Sequence, residues 1–306
     1  MEQRVEEEGG RRGCDPGKCG SLALFSACAC TMMPLNKAVM KVFERSPLTA
    51  VAGQMLATGV AMVACCGGRE EVKRKEATRT GDVVSCMALP VLFAGMLVTS
   101  MLSLPHASLG AIMAIRNTAP LMALPLEHAC LEPQKVTART VAAMVMMVGG
   151  CAAYVRHDAA TTPIGAGLAM GNTVIGVVDR LAQRHLLATE KVPKETMLVV
   201  NNLVGGAIVL SMAAAGGEDP ARAAGRAARS AERMAMWGGS AVVGGMLGYA
   251  GARAQSMVTA TTHLVVTGMN RVVVMAIAAA WMGERPSVEA AAGGVASMVG
   301  TVLYAL

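Results

Sequence analysis

Lys37, Arg116, Asp179, Arg180 and Arg271 stand inside long apolar stretches of this chain. An ionisable side chain is costly in such a setting and usually faces a polar cavity or a partner. Arg116 is followed by Asn117, and Arg271 is preceded by Asn270. A guanidinium presents a planar fork of donors that matches phosphate oxygens. Arg116 and Arg271 near one cavity therefore read as a site for an anionic, phosphorylated ligand, with Lys37 as a third candidate cation. The competing reading is that each cation snorkels to an interface or pairs with Glu127 or Asp179. Asp179-Arg180 lies late in its segment, and a helix-end pair is the expected role there. Asn201-Asn202 offers donors and acceptors able to read a base edge or sugar hydroxyls, or to bond between helices.

The elements that must hold these groups are apolar. Of the 306 residues, 54% are hydrophobic and 16% charged, against roughly 25% charged in soluble domains. Mean hydropathy is +0.48. No Asp, Glu, Lys or Arg occurs in 46–68, 83–115, 159–178 or 196–217, and each run reaches the ~20 residues that span a bilayer as a helix. The runs do not alternate, as barrel strands would. Net charge is +6, but the chain has no basic cluster interleaved with aromatics, so nucleic acid is not an expected partner. The five histidines are scattered, no HExxH or GxxxxGK[ST] sequence occurs, and neither a metal, another cofactor nor ATP-driven pumping is expected. The nine cysteines end at Cys151 and mostly lie in apolar runs, unlike a disulfide framework. Residues 1–19 are acidic and basic in turn and read as a polar tail before an uncleaved first helix.

The pattern predicts an all-α membrane protein with ten transmembrane helices, near 20–43, 48–66, 82–104, 107–130, 138–156, 162–183, 196–214, 236–253, 258–282 and 286–306. Connections on the side of the termini hold 15 basic residues and those on the other side 8, which places both termini in the cytoplasm. The basic connection 215–235 is the exception. An internal repeat divides the chain at 20–156 and 162–306. Arg116-Asn117, Glu132-Pro133, Gly150 and Tyr154 recur as Asn270-Arg271, Glu284-Arg285-Pro286, Gly300 and Tyr304. An odd number of helices per repeat means insertion in opposite senses. Two inverted five-helix repeats with a midplane site are the expected architecture, one common among secondary transporters.

With Asn36-Lys37, Arg116 to Leu121 with Glu127, Asn201-Asn202-Leu203, Gly268-Met269-Asn270-Arg271 and the closing Gly300 to Tyr304, the chain resembles the nucleotide-sugar transporter and triose-phosphate translocator branch of the drug/metabolite transporter superfamily. The resemblance runs from about Gly20 to the end. It is strongest to GDP-mannose transporters, whose paired asparagines and Gly-Ala-Leu-Asn-Lys motif match Asn201-Asn202 and Gly268 to Arg271. Val199 and Val200 stand where that group has aromatics, and Arg271 where it has lysine.

The resemblance implies an antiporter, not an enzyme, that exchanges a nucleotide sugar for the nucleoside monophosphate across the Golgi or ER membrane. Asn201, Asn202 and Asn270 would orient base and sugar, while Gly268 and Arg271, with Lys37 and Arg116, would hold sugar and phosphates. A plastid-envelope exchanger of phosphate and small phosphorylated metabolites is the alternative, and a membrane-embedded enzyme or non-transporting scaffold is a further rival. The partners expected are these phosphorylated solutes and the lipid bilayer, with a homodimer left open.

Overall fold

The computed structural model describes residues 16–43, 46–66, 80–130, 136–188, 194–257 and 260–305. Most of the N-terminal tail, the basic connection 67–79, Glu132 and the side chain of Glu127 lie outside the described residues. Among those described are twelve α-helices and no strand: α1 (Pro16–Val42), α2 (Pro47–Cys66), α3 (Thr80–Ser103), α4 (Leu109–Arg116), α5 (Ala119–Cys130), α6 (Ala138–His157), α7 (Pro163–Ala188), α8 (Lys194–Ala215), α9 (Pro220–Ala228), α10 (Ala231–Met257), α11 (Ala260–Trp281) and α12 (Val288–Ala305). Cys19 is disulfide-bonded, while Cys28, Cys30 and Cys151 are free.

Among the described residues five stretches are long and apolar enough to cross a membrane: Gly17–Val42, Pro47–Ala64, Leu109–Leu126, Ala138–His157 and Glu195–Ala215. Met87–Ser103, Val266–Trp281 and Val288–Tyr304 are shorter and also apolar. α7 and α10 are long, at 26 and 27 residues, but Asp179 and Arg180 dilute the first and a run of glycines dilutes the second. Valines such as Val60, Val145 and Val242 are exposed on the outside, whereas Asn36, Gln54, Asn117, Asn172, Asn201 and Arg271 are buried inside. A large apolar exterior around a polar interior suits lipid contact rather than water.

Two local features depart from ten simple helices. The fourth expected helix is broken at Asn117-Thr118 into α4 and α5. Pro120 has no N–H to donate to the Arg116 carbonyl one turn back, so the hydrogen-bond ladder stops there. The Thr118 hydroxyl instead bonds Ile115 O at 2.7 Å. In the connection after α8, Asp219 caps α9 by accepting the Arg222 N–H at 3.0 Å, with Pro220 in the first turn. Ala223 and Ala227 of α9 are buried against Val39, Phe43 and Ala50.

The principal helix contacts are α6 with α12, α2 with α8, α1 with α10, and α3 with α7. α6 and α12 meet backbone to backbone. A Cβ at Gly300 would lie 2.8 Å from Ala143 O, and one at Gly293 would lie 2.7 Å from Gly150 O and Tyr154 N. Without side chains at these points the two helices approach closely, the usual basis of tight packing in lipid. The first core cluster joins α4 to α1, α2, α3, α6 and α11, so the broken helix runs through the middle of the molecule.

Candidate functional site

The break in the fourth helix sets the two residues that open the site. Arg116 ends α4, and its Nε and Nη2 donate to Asn172 Oδ1 of α7 at 3.1 and 2.9 Å. Nη2 also donates to Ser100 Oγ of α3 at 2.9 Å, and Nη1 reaches Met33 Sδ of α1 at 3.4 Å. Asn172 is held in turn by Nδ2, which donates to Met96 O at 2.5 Å. Asn117 is fully buried beside it, and Arg271 Nη1 of α11 donates to Asn117 Oδ1 at 2.9 Å. Arg271 itself is 7% exposed. Arg116 and Arg271, paired by sequence, thus meet across consecutive residues of the α4–α5 turn.

A third arginine belongs with them. Arg180 lies within electrostatic reach of Arg116, Arg271 and His263. It is two turns beyond Asn172 on α7, hence on the same helix face, and its Nε donates back to Gly176 O at 3.0 Å. Arg180 is exposed at the surface of the protein, unlike buried Arg271. Asp179 also lies within electrostatic reach of Arg180, in keeping with the helix-end pairing expected of them. Asp179 is 2% exposed and accepts from Gln183 Nε2 at 2.7 Å. Position in the segment hid Arg180. The i, i+4, i+8 spacing of Asn172, Gly176 and Arg180 was the available signal.

The described partners of Arg116 and Arg271 are all neutral. A buried guanidinium without a carboxylate is costly, and the charge of Arg180 repels both. Nearby, Asn117 Nδ2 and Asn270 Nδ2 are buried donors without a hydrogen-bond partner, in a protein interior where such groups are normally satisfied. Cations and unpaired amide donors are the groups from which binding sites for anions with several oxygens are built.

The other sequence candidates are distributed around this core. Asn270 is buried on α11, and its carbonyl accepts from Cys30 Sγ of α1 at 3.7 Å. Gly268 faces α12, where a Cβ would stand 3.2 Å from Thr301 Cγ2. Asn201 and Asn202 are buried on α8. Asn202 Nδ2 donates to Leu198 O of its own helix at 2.8 Å, and Asn201 Oδ1 has no hydrogen-bond partner. No described contact joins this pair to the arginines. Lys37 is held apart from them by an ion pair with Glu284, in the α11–α12 connection. Among the described residues no cluster of His, Cys, Asp and Glu could hold a metal ion.

No protein-family model matches the chain. No curated protein matches it either. A solved structure, described as the crystal structure of a protein, is similar with a TM-score of 0.58 at 16% identity, over 93% of this chain and 96% of that one. At that identity the likeness is one of fold, carried over nearly the whole length of both chains.

Proposed function

We propose that this chain is a ten-span secondary transporter that exchanges a nucleotide sugar for its nucleoside monophosphate across the Golgi or ER membrane, with a GDP-mannose-like substrate as first choice. The observation that carries the reading is the meeting of Arg116 and Arg271, two cations with only neutral described partners, on elements drawn from both halves of the chain. A diphosphate bridging them would neutralise both and satisfy Asn117 Nδ2 and Asn270 Nδ2. Arg180, the exposed member of the three, would meet the ligand first.

The packing supports an inverted repeat. Exchanging α1 with α7, α2 with α8, α3 with α10, the α4–α5 pair with α11, and α6 with α12 turns each major contact into another. The α1–α10 contact becomes α7–α3, and α2–α10 becomes α8–α3. The α1–α11 contact becomes α7 with α4 and α5, while α2–α8 and α6–α12 map onto themselves. Repeats related in this way rock about a site at their interface, and the arginines lie at that interface.

A plastid-type exchanger of phosphate and sugar phosphates is the second reading, favoured by Asn202, whose amide is bonded within its own helix instead of being free to read a base. Exchange in proteoliposomes preloaded with GMP, UMP, CMP or inorganic phosphate separates the two. Stimulation by one nucleoside monophosphate of uptake of its nucleotide sugar supports the first. Stimulation by phosphate alone moves the assignment to the second, and silence in every pairing from folded protein removes both.

A further inference from the structure

The end of the bundle where α4 begins is fastened through one carboxylate. Glu284 Oε1 accepts the Leu109 N–H at 2.9 Å and Oε2 receives the Gly110 N–H at 3.4 Å. The same carboxylate pairs with Lys37 of α1. Neither partner is free in water: the side chains are 13% and 22% exposed. Around this point Ser108 Oγ accepts from Ala111 N at 3.0 Å and donates to Asp158 Oδ2 at 2.6 Å. Thr161 Oγ1 donates to the same oxygen at 2.5 Å, and Thr162 N donates to His106 O at 2.9 Å. Tyr154 packs directly over Gly110, leaving no room there for a Cβ. Segments from α1, the α6–α7 connection and the α11–α12 connection therefore converge on the first turn of α4.

α4 is a rigid link between that end and the arginine site. It is eight residues long, or about 12 Å at 1.5 Å per residue. Leu109 to Ile115 are all buried, and Arg116 and Asn117 close its other end. Glu284 therefore bonds, through its cap on α4, to the element that carries both Arg116 and the Asn117 partner of Arg271. A simple ion pair between Lys37 and Glu284 would join two segments. Because the carboxylate also takes the α4 N–H groups, separating them frees α4 as well. The structure holds the fastened arrangement; release of the carboxylate would give α4 a second one, and an element with two arrangements is what couples distant sites.

We infer that Glu284 is the catch of a gate at this end. With the gate shut, its carboxylate clamps the start of α4 against Lys37. When the end opens to the aqueous phase the clamp lets go, and α4 shifts with Arg116 and Asn117 on it. The inference rests on the transporter reading for what passes the gate, but the opening itself is detectable without any substrate.

Ala107, 4% exposed just before α4, reports on the opening as Ala107→Cys. The probe is a membrane-impermeant maleimide added from the side this end faces, with protein in liposomes and no ligand. Cys28, buried on α1 well away from this end, is the internal control. In Lys37→Met and Glu284→Gln backgrounds, labelling at position 107 is expected to rise about tenfold or more, the shift that loss of one charge-assisted bond from one of two states produces. Lys37→Arg is expected to keep labelling near the parent rate. Equal labelling at 107 in parent and variants overturns the gate. So does a parallel rise at Cys28, which would mean the pair holds the fold together instead. An exchange assay that fails in every pairing would remove the substrate assignment and leave the labelling result standing.

Discussion

Arg271 donates to Asn117 Oδ1, and Arg116 to Asn172 Oδ1 and Ser100 Oγ, so dipoles orient both guanidiniums while no described carboxylate neutralises them. This separates two roles that a substitution can tell apart. A cation kept for stability would be missed by the fold, whereas a cation kept for an anion would be missed only by the substrate. Removing an uncompensated buried charge lifts a desolvation cost of several kcal/mol, more than the ~1–3 kcal/mol lost by leaving Asn117 Oδ1 without its donor. Arg271→Met is therefore expected to leave the melting temperature unchanged or raised and to cut exchange by roughly 30-fold or more, since a desolvated charge contact is worth about 2–5 kcal/mol. A melting temperature that falls with exchange intact would make the residue structural. The conjunction of Arg116 and Arg271 was legible in the sequence because an arginine in an apolar run is rare and the two recur at matching places. Lys37 looked equivalent by the same criterion, yet it pairs with Glu284, about 250 residues away in the chain. Charge and hydropathy along a chain mark which ionisable groups are buried, but carry no record of which distant carboxylate reaches them.

At the scale of elements, the helical stretches were legible because charges cluster at their ends, and most bounds follow the charge-free runs. The break between α4 and α5 was written in Asn117-Thr118-Ala119-Pro120, yet a proline in a membrane helix is compatible with a mere kink, and hydropathy runs unbroken through Leu109–Leu126. Asn117, the last residue with helical backbone before the break, is the acceptor for Arg271. Restoring the missing donor with Pro120→Ala would let the ladder continue across the turn. The expected outcome is a stability equal to or above the parent, by up to the ~3 kcal/mol a helical proline costs, together with slower exchange. Faster exchange would show that the break hinders the site. The α6–α12 contact carries the opposite expectation. Gly150 faces Gly293 and Ser297 backbone in the first helix contact of the molecule, with no flexible side chain to give way. Gly150→Val is expected to destabilise by at least the ~1–3 kcal/mol typical of overpacking, read as a lower melting temperature and reduced yield of monodisperse protein. An unchanged melting temperature would mean that the two helices slide apart at little cost.

For the molecule as a whole, three arginines within electrostatic reach of one another bear on whether a carrier of the proposed kind would move empty. To pass between two openings the site must at some stage be closed to water on both sides. With no anion inside, that stage buries mutually repelling cations at an effective dielectric well below that of water, where each close pair costs several kcal/mol. With a phosphorylated ligand inside, the same stage buries a neutralised cluster. On the proposed transporter reading the ligand lowers the barrier by an amount tied to the number of repelling cations, and exchange is expected to outpace net uptake. Uptake into vesicles preloaded with the counter-substrate, divided by uptake into empty vesicles, measures the difference. The parent is expected to show a ratio well above ten, because every 1.4 kcal/mol of barrier is about tenfold in rate. Arg116→Met removes one of the repelling charges but leaves Arg271 and Arg180 to hold the ligand. Its exchange should slow, and its empty return should quicken, so the ratio should drop several-fold even as total uptake falls. A ratio that stays at the parent value while exchange declines would mean that the cations bind the ligand without setting the barrier to empty return. The coupling would then have to come from contacts between helices, such as those that Glu284 makes at the start of α4.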